Sequence, residues 1–143
     1  MPEVNWIAIV TAAVACFLLG AVWYSPLLFG KAWQREAGLT DAQLKTGNLP
    51  VIFGTTLFLS LLAAWNFANF LGPRPSLIFG SAVGFSAGLL WVAGSFGINY
   101  LFERRSFKLF CINGGYHTLQ FTIIGTVLAL LPCADCAYAA GVP

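Results

Sequence analysis

The placement of charge constrains this chain more than any other feature. Its seven lysines and arginines and five acids all fall at Glu3, within residues 31–45, at Arg74, within residues 103–108 and at Asp135. They leave four uncharged intervals, residues 4–30, 46–73, 75–102 and 109–134. A helix needs about 20 apolar residues to cross the hydrocarbon core of a bilayer, and each interval supplies them. Only 8% of residues are charged, against about 25% in a soluble domain. The pattern predicts an all-α fold, an integral membrane four-helix bundle forming a single transmembrane domain over residues 1–143, with spans near 4–24, 51–71, 77–101 and 109–131. Pro26, Pro50, Pro73, Pro75 and Pro132 all sit at or beyond the ends of these spans, where proline costs no helical hydrogen bond. Asn48 and Ser76 read as start signals for the second and third helices.

Several classes are excluded at this stage. A net charge of +2 with no basic run longer than Arg104-Arg105 offers nothing to hold a nucleic-acid backbone. A membrane β-barrel would show short alternating segments instead of continuous apolar runs. Met1-Pro2-Glu3 lacks the basic start of a secretory signal, so the first helix is expected to be retained. Lys31, Arg35 and Lys45 in the first loop, with Arg104, Arg105 and Lys108 in the third, oppose a single Arg74 in the second. Basic residues near span ends stay cytoplasmic, which predicts that both termini face outward. Leu28, Phe29, Ala32, Trp33 and Ala37 share one helical face, with Lys31, Gln34 and Arg35 opposite. This predicts a short interfacial helix between the first two spans, with Trp33 at headgroup depth. Its plain role is to anchor the loop to the bilayer. Thr40 and Gln43 have capping-box spacing.

Small residues recur every fourth position on two spans: Gly80, Gly84 and Gly88 on the third, and Ala8, Ala12, Cys16 and Gly20 on the first. Lipid supplies no hydrophobic drive between helices, so such faces predict close packing, within the bundle or across a dimer. Gly114, Thr118, Thr122 and Gly125 form a looser version on the last span.

Polar groups inside the spans are the candidates for function. Asn113, His117 and Gln120 follow i, i+4, i+7 spacing and so share a face. His117 lies about 12 Å along the last span at the α-helical rise. Asn99 and Tyr24 are expected at similar depth, giving a candidate polar site of His117, Asn113, Gln120, Asn99 and Tyr24. His117 reads either as a proton carrier or ligand contact, because imidazole titrates near neutrality, or as a neutral group bonding two helices together. Asn5, Asn66 and Asn69 form a second, structural group near the outer face. One histidine and scattered cysteines give no four-ligand metal set, and no cofactor is expected. Cys16 and Cys111 read as inert small apolar residues within spans. Cys133 and Cys136 form a Cys-x-x-Cys just past the last span, a possible local disulfide or redox pair.

The stretch from Leu19 to Trp33, Leu-Gly-Ala-Val-Trp-Tyr-Ser-Pro-Leu-Leu-Phe-Gly-Lys-Ala-Trp, resembles the start of the bacterial membrane family known as domain of unknown function 1761 (DUF1761). Asn113-Gly114-Gly115-Tyr116-His117 resembles that family's second signature. The resemblance covers nearly the whole chain but not the cysteine-bearing tail after Pro132. It implies a small multi-span protein of the bacterial inner membrane with no assigned reaction, and draws interest to Trp23, Tyr24, Ser25, Pro26 and Gly30, and to Asn113, Gly114, Gly115, Tyr116 and His117. Three functional expectations follow. The first is a non-enzymatic accessory or scaffold subunit that packs through its small-residue faces, among membrane lipids, as a homo-oligomer or within a larger complex. The second is a small transporter or permeation unit with His117 as its proton-sensitive group. The third is a thiol-redox membrane protein using Cys133 and Cys136.

Overall fold

The computed structural model describes residues 4–133, and every regular element among them is helical. The elements are α1 (Trp6–Trp23), α2 (Gly30–Ala37), α3 (Asp41–Lys45), α4 (Leu49–Leu71), α5 (Leu77–Phe102) and α6 (Phe107–Leu130). Three of them, α1, α4 and α5, are long and apolar enough to cross a membrane. α6 has the length, at 24 residues, but Asn113, His117 and Gln120 lower its hydropathy, and it is not among the three.

Each long helix begins on a side-chain cap, which satisfies amide groups that have no intrahelical partner. Asn5 Oδ1 accepts from the Ile7 and Ala8 amides, at 3.0 and 3.3 Å. Asn48 accepts from Val51, with Pro50 in the first turn. Ser76 accepts from Phe79, and Ser106 from Leu109. Thr40 and Gln43 form a reciprocal capping box on the one-turn helix α3.

α6 is the central element, in contact with α1, α2, α4 and α5. Its closest neighbour is α5, and glycine makes that approach possible. A Cβ added at Gly80 would stand 2.6 Å from the Gly125 carbonyl oxygen, and one at Gly88 2.6 Å from that of His117. A Cβ at Gly84 would run into the Phe121 carbonyl. Both backbones are therefore in direct contact along three successive turns, which maximises dispersion contact where lipid gives no hydrophobic drive. Ser81 and Thr126 add a hydroxyl–hydroxyl bond across the same seam, at 2.9 Å. Thr118, Thr122 and Thr126 each donate to the carbonyl one turn back, so their hydroxyls need no further partner.

On the other side of α6, Ala8, Ala12 and Cys16 of α1 are fully buried and meet Ala64, Phe67, Ala68 and Leu71 of α4 together with Ile124 and Leu128 of α6. Gly20 continues this face, and a Cβ there would lie 3.1 Å from the Tyr116 hydroxyl oxygen. Both small-residue faces are thus occupied by helices of the same chain. At the far end, the Asn5 amide nitrogen donates to the Leu131 and Pro132 carbonyls, at 3.1 and 3.4 Å, and ties the start of α1 to the end of α6.

α5 is not uniform. Its first part, Leu77–Ser86, and its last, Gly94–Phe102, are α-helical, while Ala87–Ala93 between them is π-helical. A π segment takes up an extra residue without breaking the helix and therefore rotates everything that follows it. The wide turns fall where α5 passes the Gly114–Thr118 stretch of α6: Gly88 faces the His117 and Thr118 backbone, and the Ala93 methyl lies 3.1 Å from where a Gly114 Cβ would be.

Candidate functional site

At the end of the molecule where α1 turns into α2, side chains from four helices converge on the first half of α6. The turn itself is built by local chemistry. Ser25 Oγ donates to the Val22 carbonyl at 2.7 Å, and the Gly30 amide donates to the Ser25 carbonyl at 2.9 Å. Gly30 is buried so tightly that a Cβ would meet the Tyr24 and Ser25 backbone, so a side chain there would force the turn open. The turn stacks Phe29 on Trp23, with ring centroids 4.6 Å apart, and folds α2 back against α6. Trp33 consequently points inward, its ring 5.6 Å from that of Tyr24. That contact gives Trp33 a packing partner beyond the anchoring role expected of it.

Asn113 holds three helices together. The Tyr24 hydroxyl donates to Asn113 Oδ1 at 2.9 Å, and Asn113 Nδ2 donates to the Tyr100 hydroxyl at 2.7 Å. The Trp23 indole nitrogen donates to the Ile112 carbonyl at 3.0 Å. Asn99, expected to reach Asn113, is instead exposed, and Tyr100 takes that place. The π segment is the cause. On a regular α-helix Asn99 would fall about three turns beyond Gly88 on the same face; the extra residue absorbed at Ala87–Ala93 brings Tyr100 there.

His117 stands apart from this relay. Its Nδ1 lies 2.7 Å from Gln120 Oε1, one turn along the same helix, a hydrogen bond in the tautomer whose proton is on Nδ1. Its ring stacks on Phe96 of α5, centroids 5.1 Å apart and planes at 14°, with Tyr116 edge-on at 4.9 Å. The other nitrogen, Nε2, has no hydrogen-bond partner among the described residues. Since no buried side-chain nitrogen or oxygen there lacks one, Nε2 keeps some exposed surface. Gln120 is buried, and its backbone carbonyl faces the Cys16 thiol at 3.5 Å.

The loops flanking the site are clasped together. Ser106 Oγ, which also caps α6, donates to Glu36 Oε2 of α2 at 2.7 Å. That bond, with the Lys108 and Arg35 charges, holds the Glu36 carboxyl below its ordinary pKa against an opposing desolvation effect.

Of the residues expected from sequence, the fold therefore brings Tyr24, Asn113, His117 and Gln120 to one region and leaves Asn99 outside it. Phe96 and Tyr100 were not expected, whereas Trp33 and Tyr116 stand in the two stretches that carry the family resemblance. Cys111 is exposed, not buried, and lines a lateral cleft of about 380 Å³ with Trp23, Ala93 and Phe110. Cys136 lies outside the described residues, as does its pairing with Cys133. Among the described residues no three His, Cys, Asp or Glu side chains group as metal ligands.

Fold and site together define an all-helical protein with three helices long and apolar enough to cross a membrane and a polar-aromatic cluster built on α6 against α1, α2 and α5. Residues 7–129 match the model of the family described as "Protein of unknown function (DUF1761)", and the chain belongs to that family. No curated protein and no solved structure gives a match.

Proposed function

We propose that this protein is a small membrane binding or permeation unit whose working group is His117. In this reading α1, α4, α5 and α6 all cross a bacterial inner membrane as a four-helix bundle. Both termini face outward, and α2 lies at the cytoplasmic surface over the site. The support for that orientation is the gathering of Lys31, Arg35, Lys45, Arg104, Arg105 and Lys108 at one end.

The observation that carries the functional reading is the disposition of the imidazole. A histidine serving as interhelical glue would bond across to a neighbouring helix. His117 bonds to Gln120 on its own helix and leaves the Nε2 lone pair open, while Asn113 makes the interhelical bonds nearby. An accessory or scaffold role based on small-residue faces has less support, because those faces are engaged within the chain. The third reading, thiol redox chemistry, gains no support from the described residues.

The chain contains one histidine, so isotope labelling of histidine gives one imidazole to observe. With the labelled protein in lipid nanodiscs, titration across about pH 5 to 9, the range in which imidazoles change charge, is expected to protonate Nε2 and shift its nitrogen resonance. An imidazole spectrum unchanged over that range would overturn the proposal.

A further inference from the structure

We infer that the outward face of α4 is a self-association seam, on which a second copy of this chain docks in parallel through Asn66. The inference rests on the membrane reading but not on His117. Thr55, Leu59, Leu62, Asn66 and Asn69 follow alternating spacings of four and three residues along α4, the 3.5-residue repeat of a two-helix seam. They lie on the side away from the buried residues Ser60, Ala64, Phe67, Ala68 and Leu71. Thr55, Leu59, Leu62 and Asn66 are exposed. Over residues 49–59 no residue of α4 is fully buried.

Asn66 gives the face its meaning. It lies five residues from the Leu71 end, about 7 Å along the helix axis, inside the segment that lipid surrounds. Its carboxamide has no hydrogen-bond partner among the described residues, whereas Asn69 donates to the Trp65 carbonyl at 2.8 Å. Acyl chains supply neither donor nor acceptor, so an amide left facing them is costly. In a parallel pair about an axis along the membrane normal, identical residues meet at equal depth. A carboxamide is complementary to itself, as its NH₂ donates to the partner copy's carbonyl oxygen and accepts in return at its own. An asparagine that meets its own copy across a helix seam also fixes register and copy number. A cleft of about 480 Å³ opens beside the seam, with Asn66, Phe70, Trp91 and Phe121 in its walls.

The test uses the full chain in nanodiscs and native membranes. Native mass spectrometry is expected to find dimers, with Asn66→Leu weakening self-association about 10-fold and Asn66→Gln retaining most of it. In a background lacking Cys111, Cys133 and Cys136, cysteines at positions 55, 59 and 62 are expected to form intermolecular disulfides on oxidation, and cysteines at 56 and 65 are not. A protein that stays monomeric, with or without a lipid held at Asn66, would overturn the inference. So would crosslinking equal on and off the seam, or an Asn66→Leu variant that associates like the native chain.

Discussion

α4 and α6 are almost equal in length, at 23 and 24 residues, and obey opposite rules. α4 is apolar enough to cross a membrane yet is buried only from Ser60 onward. α6 is more polar and falls short on hydropathy, yet it is buried at intervals from Leu109 to Leu128 and touches the other three long helices. The contrast follows from the solvent. A helix that faces lipid must be apolar on its outer surface, whereas one enclosed by other helices can carry amides, hydroxyls and an imidazole if neighbours satisfy them. Hydropathy therefore reports what a helix shows to lipid, and the central helix scores worst.

The contrast breaks most sharply at glycine. Gly84 has the α6 backbone where its Cβ would be, while Gly54 on α4 has nothing within 4 Å. Gly84→Val is expected to destabilise by about 3 kcal/mol or more, the upper end for overpacking a filled contact, measured as loss of folded protein on denaturation in mixed micelles. Asn113→Leu comes next. It removes both tyrosine bonds, and at about 1 kcal/mol each should cost roughly 2 kcal/mol by the same measurement. Smaller again is the clasp between α2 and α6. Because Glu36 has a lowered native pKa, its contribution is fully present above the unfolded-state value and is lost as the pH falls through the lowered native value. Protection of the Leu109 amide, whose N–H is capped by Ser106, should fall relative to its intrinsic exchange rate over that acid window, and Glu36→Gln should flatten the effect. The smallest change expected is at Gly54→Ala, a gain of up to about 1 kcal/mol from helix propensity alone. A large loss there would show that α4 is packed by something on that side.

How much of this was legible beforehand differs from residue to residue. The four charge-free intervals located the long helices to within two residues at their ends, because charges and prolines mark where lipid stops tolerating them. Asn48, Ser76 and the Thr40–Gln43 pair were readable as caps because capping depends on local sequence. Gly80, Gly84 and Gly88 announced a close approach but not its partner, since a small-residue face specifies distance and says nothing of which helix fills it. Asn99 was misplaced because the π segment at Ala87–Ala93 changes the helical phase, and no residue type in Ala-Gly-Leu-Leu-Trp-Val-Ala signals it; its cause is the packing against α6. The contact of Trp33 with Tyr24 was not legible, for a related reason. Amphipathic spacing gave α2 its apolar face, but the turn at Ser25 and Gly30 decides that this face meets Tyr24 and the protein interior.

The central claim is that the least apolar long helix lies inside the bundle, screened from lipid by the more apolar ones. Photolabelling in membranes with a bilayer-soluble carbene reagent, followed by peptide mapping, tests it directly. Heavy labelling of Phe58, Trp65 and Phe70 on α4, with Tyr116, Gln120 and Ile124 on α6 protected, is the predicted result. Labelling of α6 equal to that of α4 would contradict the account.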